Sequence, residues 1–231
     1  MSQVTNLAYF YETARKVRGG KWVWVKDSNG ENRKNVLLGG TILNPNKGFG
    51  HLWAAQLVQY TPAEGCLIFR SFEVSTASGS SATTIKVKGD GFSDAPEVGM
   101  YLMKAPAAVT TSGAYGQVTA VTYDATNEEF TVTISAAIGA LSVGDILVES
   151  DAADDASAQS PTGSAKVLVP NPNTFVEADV DLLPTEGYGI ENANYSISTV
   201  HDKEAWIARM QPLPDYVLAK NRSYIDGIFW I

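Results

Sequence analysis

The chain has 231 residues, 45% of them hydrophobic and 18% charged, which suffices for one large or two small packed domains and argues against bulk disorder. Its net charge of −8 is unevenly divided: residues 1–35 carry seven Lys/Arg against three acids (+4), and residues 36–231 carry ten against twenty-two (−12). The acidic body excludes nucleic acid as the main partner, and the single cysteine, Cys66, excludes an internal disulfide framework and suits synthesis in a reducing cytoplasm.

In chain order, Met1 to Arg18 has no long apolar run followed by small residues, so no secretory signal is expected. Leu7, Phe10, Tyr11, Ala14 and Val17 recur at helical spacing between Asn6 and Gly19-Gly20, which predicts a short amphipathic helix over 7–18. Trp22-Val23-Trp24-Val25 before Asp27-Ser28-Asn29-Gly30 predicts the first strand of a hairpin. Trp22 and Trp24 share a face there, and suit core or subunit packing better than a sugar-stacking platform. The basic run Arg15, Lys16, Arg18 and Lys21 meets an acidic protein surface or caps a helix C-terminus and faces water.

Residues 36–72 read as a β meander of Val36-Leu37-Leu38, Thr41-Ile42-Leu43, Trp53 to Tyr60 and Cys66 to Phe72. Ser75 to Ala82 and Asp151 to Ala165 are runs of small and polar residues and read as linkers. Between them a pattern occurs twice. Ile85, Val87 and Val98-Gly99-Met100-Tyr101-Leu102 recur, 45 residues on, as Phe130, Val132 and Val143-Gly144-Asp145-Ile146-Leu147. A repeated β unit lets each copy cover the face that the other leaves exposed. The two copies differ where Met100 answers to Asp145. Gln117 to Tyr123 adds an alternating strand. Ala105 to Tyr123, the longest uncharged stretch, is too rich in Thr, Ser and Gly to span a membrane.

After the second run, strands are expected at Lys166 to Val169, Phe175 to Val180, Ile190 to Val200 and Ala205 to Met210. A short helix follows Pro212-Leu213-Pro214 over Asp215 to Lys220, and Ile225 to Ile231 is an apolar run. Ile228, Phe229, Trp230 and Ile231 are therefore expected to pair into a sheet at or near a subunit interface. The fold class that results is mainly β: a sandwich- or barrel-like base of 36–72 plus 166–231, interrupted by an inserted small β domain of 73–165, with few short helices and a preceding segment of 1–35.

Chemistry is hard to find in this chain. His51 and His201 stand in no metal-ligand spacing, and Cys66 lies in an apolar run as a buried inert thiol would. Gly48-Phe49-Gly50 lacks the third glycine of a dinucleotide loop. Asp151, Asp154 and Asp155 lack the alternation of a calcium loop, and Glu73, Glu128 and Glu129 have no paired-carboxylate spacing. No catalytic, cofactor or metal residue is assigned, and an enzyme is not expected.

Three stretches resemble the head fiber or auxiliary capsid (decoration) proteins of tailed phages of the crAss-like and related gut-Bacteroidetes type. Leu38-Gly39-Gly40-Thr41-Ile42-Leu43 is similar to the strand that opens that family's β domain. Thr83 to Leu102 and Glu129 to Ser150 resemble its inserted module, and Ala205 to Ile231 resembles its closing strand, Pro-rich turn, helix and last strand. The resemblance implies a non-enzymatic homotrimer on the virion exterior, bound to the major capsid protein and stabilising the shell or contacting host surfaces such as a glycan. On that reading Arg15, Lys16, Arg18, Lys21, Trp22 and Trp24 are the candidate capsid contacts, unless the segment folds onto its own β domain. The competing reading is a carbohydrate- or receptor-binding fiber module that uses exposed Trp and Tyr.

Overall fold

A computed structural model of the chain describes residues 24–25, 34–43, 51–52, 56–61, 65–89, 95–151, 165–172, 174–175, 180–181, 192–201, 204–205, 211–218 and 229–230. These residues are mainly β, with one four-residue helix, α1 (Asp215–Leu218), among them. The expected helix at 7–18, the turn at 27–30 and the acidic residues 154 and 155 lie outside the described residues.

Residues 71–149 contain a closed six-stranded barrel. Its strands are β6 (Ser71–Thr76), β7 (Thr84–Lys88), β8 (Tyr101–Lys104), β9 (Tyr115–Asp124), β10 (Glu129–Ile134) and β11 (Ile146–Glu149). They run around the barrel in the order β10-β7-β6-β11-β8-β9, and every neighbouring pair is antiparallel. Closure leaves no unpaired edge. Alternation along each strand turns one side chain in two toward the axis, and in β7 and β10 those positions are apolar. In β10 the buried residues are Phe130, Val132 and Ile134, separated by half-buried Glu129, Thr131 and Thr133. Ile85 pairs with Val132 and Val87 with Phe130, and all four lie in one buried cluster with Phe72, Val74, Leu102, Val118 and Leu147. Burying a side chain of this size stabilises by about 1.5–3 kcal/mol.

The 45-residue repeat is an internal two-fold. Strands β7 and β8 correspond to β10 and β11, and each pairs with its own counterpart. Backbone hydrogen bonds obey the relation closely. Gly99 N–H donates to Val118 O at 2.9 Å and Val118 N–H to Met100 O at 2.7 Å; Gly144 N–H donates to Val74 O at 2.9 Å and Val74 N–H to Asp145 O at 2.8 Å. Strands β6 and β9 correspond as well, with an offset of 44 rather than 45: Val74 stands where Val118 stands.

The other described strands form three further sheets. A five-stranded sheet has the order β12-β4-β5-β2-β14, from β12 (Thr174–Phe175), β4 (Leu57–Thr61), β5 (Gly65–Ile68), β2 (Lys34–Leu43) and β14 (Asn192–His201). β2 runs antiparallel to β14 over ten residue pairs and parallel to β5. Two smaller sheets pair β3 (His51–Leu52) with β13 (Val180–Asp181), and β1 (Trp24–Val25), β15 (Glu204–Ala205) and β16 (Phe229–Trp230) in that order.

Several sequence expectations need correcting. Trp24–Val25 pairs with β15, a strand from beyond the barrel in sequence, while the residues of the expected hairpin turn and its return strand up to 33 lie outside the described residues. Gly39-Gly40 does not separate two strands; β2 continues through it, opposite Ser196 and Tyr195. Residues 36–72 are not a simple meander, because β2 lies between β5 and a strand from beyond the barrel. Cys66 to Phe72 splits at Phe69-Arg70, so that Ser71 and Phe72 open the barrel strand that a break after residue 72 would cut. Ser75 to Ala82 is not a plain linker: Ser75 and Thr76 are in β6, and Ser78 exchanges backbone hydrogen bonds of 2.9 and 3.0 Å with Leu141.

Candidate functional site

Two turns define the repeat, and both place a glycine at positive φ, Gly99 at 102° and Gly144 at 87°. The valines before them, Val98 and Val143, are 61% and 64% exposed. In the second turn the Asp145 carboxylate accepts the Ser142 N–H at 2.7 Å. In the first, the Met100 sulfur takes that place and accepts the Glu97 N–H at 3.1 Å. The difference in sequence is thus a change of acceptor atom within one turn geometry.

Ion pairs distinguish the two ends of the barrel. Lys104 and Asp145 meet at 2.6 Å, with side chains 45% and 21% exposed. Burial pushes the Asp145 carboxyl up, but the Lys104 ammonium and the Ser142 N–H outweigh that and hold it below the ordinary aspartate value. Lys104 corresponds to Glu149 in the repeat, and at the other end Glu149 is 3% exposed and lies 3.9 Å from the Arg70 guanidinium. Arg70, 1% exposed, also lies 3.7 Å from Glu97. A guanidinium withdrawn this far from water needs such carboxylate neighbours.

The two-fold passes through two residue pairs in which each residue faces its own counterpart, Met103 with Val148 and Lys86 with Thr131. These two poles differ. Met103 and Val148 are buried with Tyr115 from the barrel and Leu57, Phe69, Val167, Val169, Leu213, Tyr216 and Val217 from the flanking chain. Polar contacts bind the same junction. Gln211 donates from Nε2 to Phe69 O and Ser71 Oγ, both at 3.1 Å, and its Oε1 accepts the Leu57 N–H at 3.3 Å; the Ser71 hydroxyl donates to Pro212 O. The opposite pole faces water. There Lys86 meets Glu129 at 2.8 Å and Lys88 meets Glu73 at 2.7 Å. The Lys86 ammonium holds Glu129 below the usual carboxylate range, and Glu129 in turn raises Lys86. At the β9–β10 turn, the Asn127 amide and the Thr126 and Asn127 N–H groups lower Asp124.

Of the candidate capsid contacts, Trp24 lies in β1, while Arg15, Lys16, Arg18, Lys21 and Trp22 lie outside the described residues. Of the candidate interface residues, Phe229 and Trp230 form β16, and Ile228 and Ile231 lie outside. Of the two sets, the structure brings Trp24 and Trp230 into one sheet. Trp24 is opposite Ala205, which is opposite Trp230, so that the three occupy one row of a single sheet.

The residues weighed for chemistry are scattered. His51 is opposite Asp181, His201 opposite Lys34, and Cys66 lies in β5 opposite Ile42 and Tyr60. Asp151 accepts the Lys166 N–H at 2.6 Å. Among the described residues no three His, Cys, Asp or Glu side chains are grouped to hold a metal ion. Sequence reasoning missed Arg70, Glu149 and Gln211, although Arg70 is a lone charge in the apolar run Gly65 to Phe72, which is itself a sign of a buried partner. Comparison with protein-family models, curated proteins and solved structures finds no match for the chain.

Proposed function

We propose that the chain is a structural virion protein that decorates the outer surface of a phage capsid, as a head fiber or auxiliary capsid protein, and stabilises the shell or contacts host surfaces. The observation that supports this reading is how the barrel uses its residues. Both halves supply apolar residues to one core, the charges Lys86, Lys88, Lys104, Glu73, Glu129 and Asp145 are engaged with one another, and one pole is buried against the flanking chain. Such a unit suits a rigid spacer that survives outside a cell better than a site of turnover, which gathers unlike polar groups at one point. The resemblance of 38–43, 83–102, 129–150 and 205–231 to head fiber proteins supplies the partner, the major capsid protein, and the homotrimeric state.

Co-sedimentation of the purified chain with empty capsids of the encoding phage tests the reading, with sedimentation equilibrium on the free chain. Saturable binding by a trimer is the expected result. A monomer that stays in the supernatant at both low and physiological salt would end it.

A further inference from the structure

We propose that the strands before residue 105 and those after residue 114 are two interlocking segments, and that each fits its counterpart from a second copy of the chain as it fits its own. Copies then exchange segments across the loop between β8 and β9. The inference goes beyond the capsid reading and does not depend on it.

The topology carries it. Each of the four described sheets takes strands from both segments: β7 pairs with β10 in the barrel, β2 with β14, β3 with β13 and β1 with β15. In the barrel, β8 lies between β11 and β9, and β11 lies between β6 and β8. Neither has a barrel neighbour from its own segment. A segment alone therefore leaves that strand's backbone groups unpaired and its apolar side chains in water. Leu102 of the first segment and Leu147 of the second are buried in one cluster, and the buried pole joins Leu57 and Phe69 of the first to Tyr115 and Val217 of the second. The two-fold also relates the β6–β11 ladder to the β9–β8 ladder, so the barrel halves present equivalent pairings to each other, as partners in an isologous interface do.

The loop decides which copy supplies the counterpart. Met103 is opposite Tyr115, so residues 105–114 return the chain to within about 5 Å of where it left β8. Ala107, Ala108, Thr110, Thr111 and Ser112 are exposed, and the turn bond from Thr111 N–H to Ala108 O, at 2.9 Å, stays inside the loop. The loop ends are held by the second segment: Ala105 N–H donates to Ile146 O at 2.8 Å, and Gly113 exchanges bonds of 2.9 and 3.0 Å with Ala165. Opening the middle of the loop thus lets every ladder re-form with a second copy, and the loop alone changes conformation.

Six prolines in place of Ala107 to Ser112 test the proposal in the full chain, because a polyproline rod of that length holds its ends about 19 Å apart and prevents return to the same barrel. The readout is a disulfide between segments. Lys86 and Thr131 are opposite each other at the water-facing pole, one from each segment, and Lys86→Cys/Thr131→Cys is made in a Cys66→Ser background with no other thiol. With the natural loop, the bond closes within one chain and non-reducing denaturing electrophoresis shows the single-chain mass. With the proline rod, the expected result is chains joined by disulfides, while barrel amides keep the parent's protection from hydrogen exchange. A single-chain bond, or free thiols in a folded rod variant, would overturn the proposal. Should the rod variant fail to fold, a Lys86→Cys chain and a Thr131→Cys chain with natural loops, both Cys66→Ser, are unfolded together in urea and refolded at high protein concentration. A bond between the two chains that neither forms alone supports exchange, and its absence overturns it.

Discussion

The two poles of the barrel's internal two-fold lie on the axis itself, so the repeat does not relate one to the other, and the chain uses them differently. At Met103 and Val148 the residues on the axis are buried beneath Leu57, Phe69, Val167 and α1. At Lys86 and Thr131 the axis opens to water among cross-strand ion pairs. In the interior, by contrast, Ile85, Val87 and Leu102 are answered by Phe130, Val132 and Leu147. The surfaces that the two-fold does exchange are the barrel ends, where Lys104 answers to Glu149; symmetry is kept at those core positions and abandoned where the barrel meets its surroundings, because a core position tolerates few alternatives whereas a surface position follows its neighbour.

The largest effects test whether the halves are equal inside. Val87 and Val132 correspond in the repeat and are both fully buried. Val87→Asp and Val132→Asp each bury an unpaired charge, at a cost of several kcal/mol that abolishes the barrel's cooperative melt. Circular dichroism melts should show near-equal losses. A melt that survives one substitution and not the other would break the equivalence.

The ends of the barrel sharpen the comparison next. Arg70→Met leaves Glu149 without its guanidinium in a buried setting, with an expected loss of about 3–5 kcal/mol. Lys104→Met at the other end removes a half-exposed ammonium and should cost about 1 kcal/mol or less. Urea denaturation of both variants separates the cases, and equal losses would contradict the difference in burial.

Part of this asymmetry was legible in the sequence. The 45-residue offset identified β7, β8, β10 and β11 and placed Ile85, Val87, Phe130 and Val132 in one core. It did not identify β6 and β9 as a pair. Their offset is 44, and Phe72 and Gly116 at corresponding positions share no side-chain character. Strand signals also misled where hydrogen bonding overrode composition: Gly39-Gly40 reads as a break but is spanned by the long β2–β14 ladder, and Ser75-Thr76 reads as linker but completes β6. Of the candidate site, single strands were readable at Trp24 and at Phe229-Trp230. Their meeting through Ala205 was not, because contacts between distant segments leave no periodicity in either.

Matched glycines give a smaller and cleaner comparison. Gly99 and Gly144 both hold positive φ, and a Cβ at either would meet nothing within 4 Å. Alanine there is opposed by backbone strain alone, so Gly99→Ala and Gly144→Ala should each cost about 1–2 kcal/mol, equal within error by urea denaturation. A glycine that accepts alanine freely would mean that its turn relaxes, and that the two turns are not one device.

The smallest effect separates the halves by pH. Met100→Leu removes the sulfur that accepts the Glu97 N–H while keeping the buried volume, and should cost about 0.5–1 kcal/mol at every pH. Asp145→Asn keeps an oxygen to accept the Ser142 N–H and loses only the charge beside Lys104. Because the folded protein holds Asp145 below its ordinary value, its ionisation stabilises above the unfolded aspartate pKa of about 3.9, and that contribution is lost as pH falls through the folded value. Its partner is nearly half exposed, so screening limits the effect to about 1 kcal/mol or less. Asp145→Asn should therefore be slightly destabilising at neutral pH and indistinguishable from the parent at about pH 2, while Glu129 and Asp124, which are lowered too, keep the remaining acid sensitivity in both proteins. Urea denaturation at the two pH values decides it: a deficit in Asp145→Asn that persists at low pH would assign Asp145 the same uncharged, purely geometric role as Met100, and the last difference between the two turns would disappear.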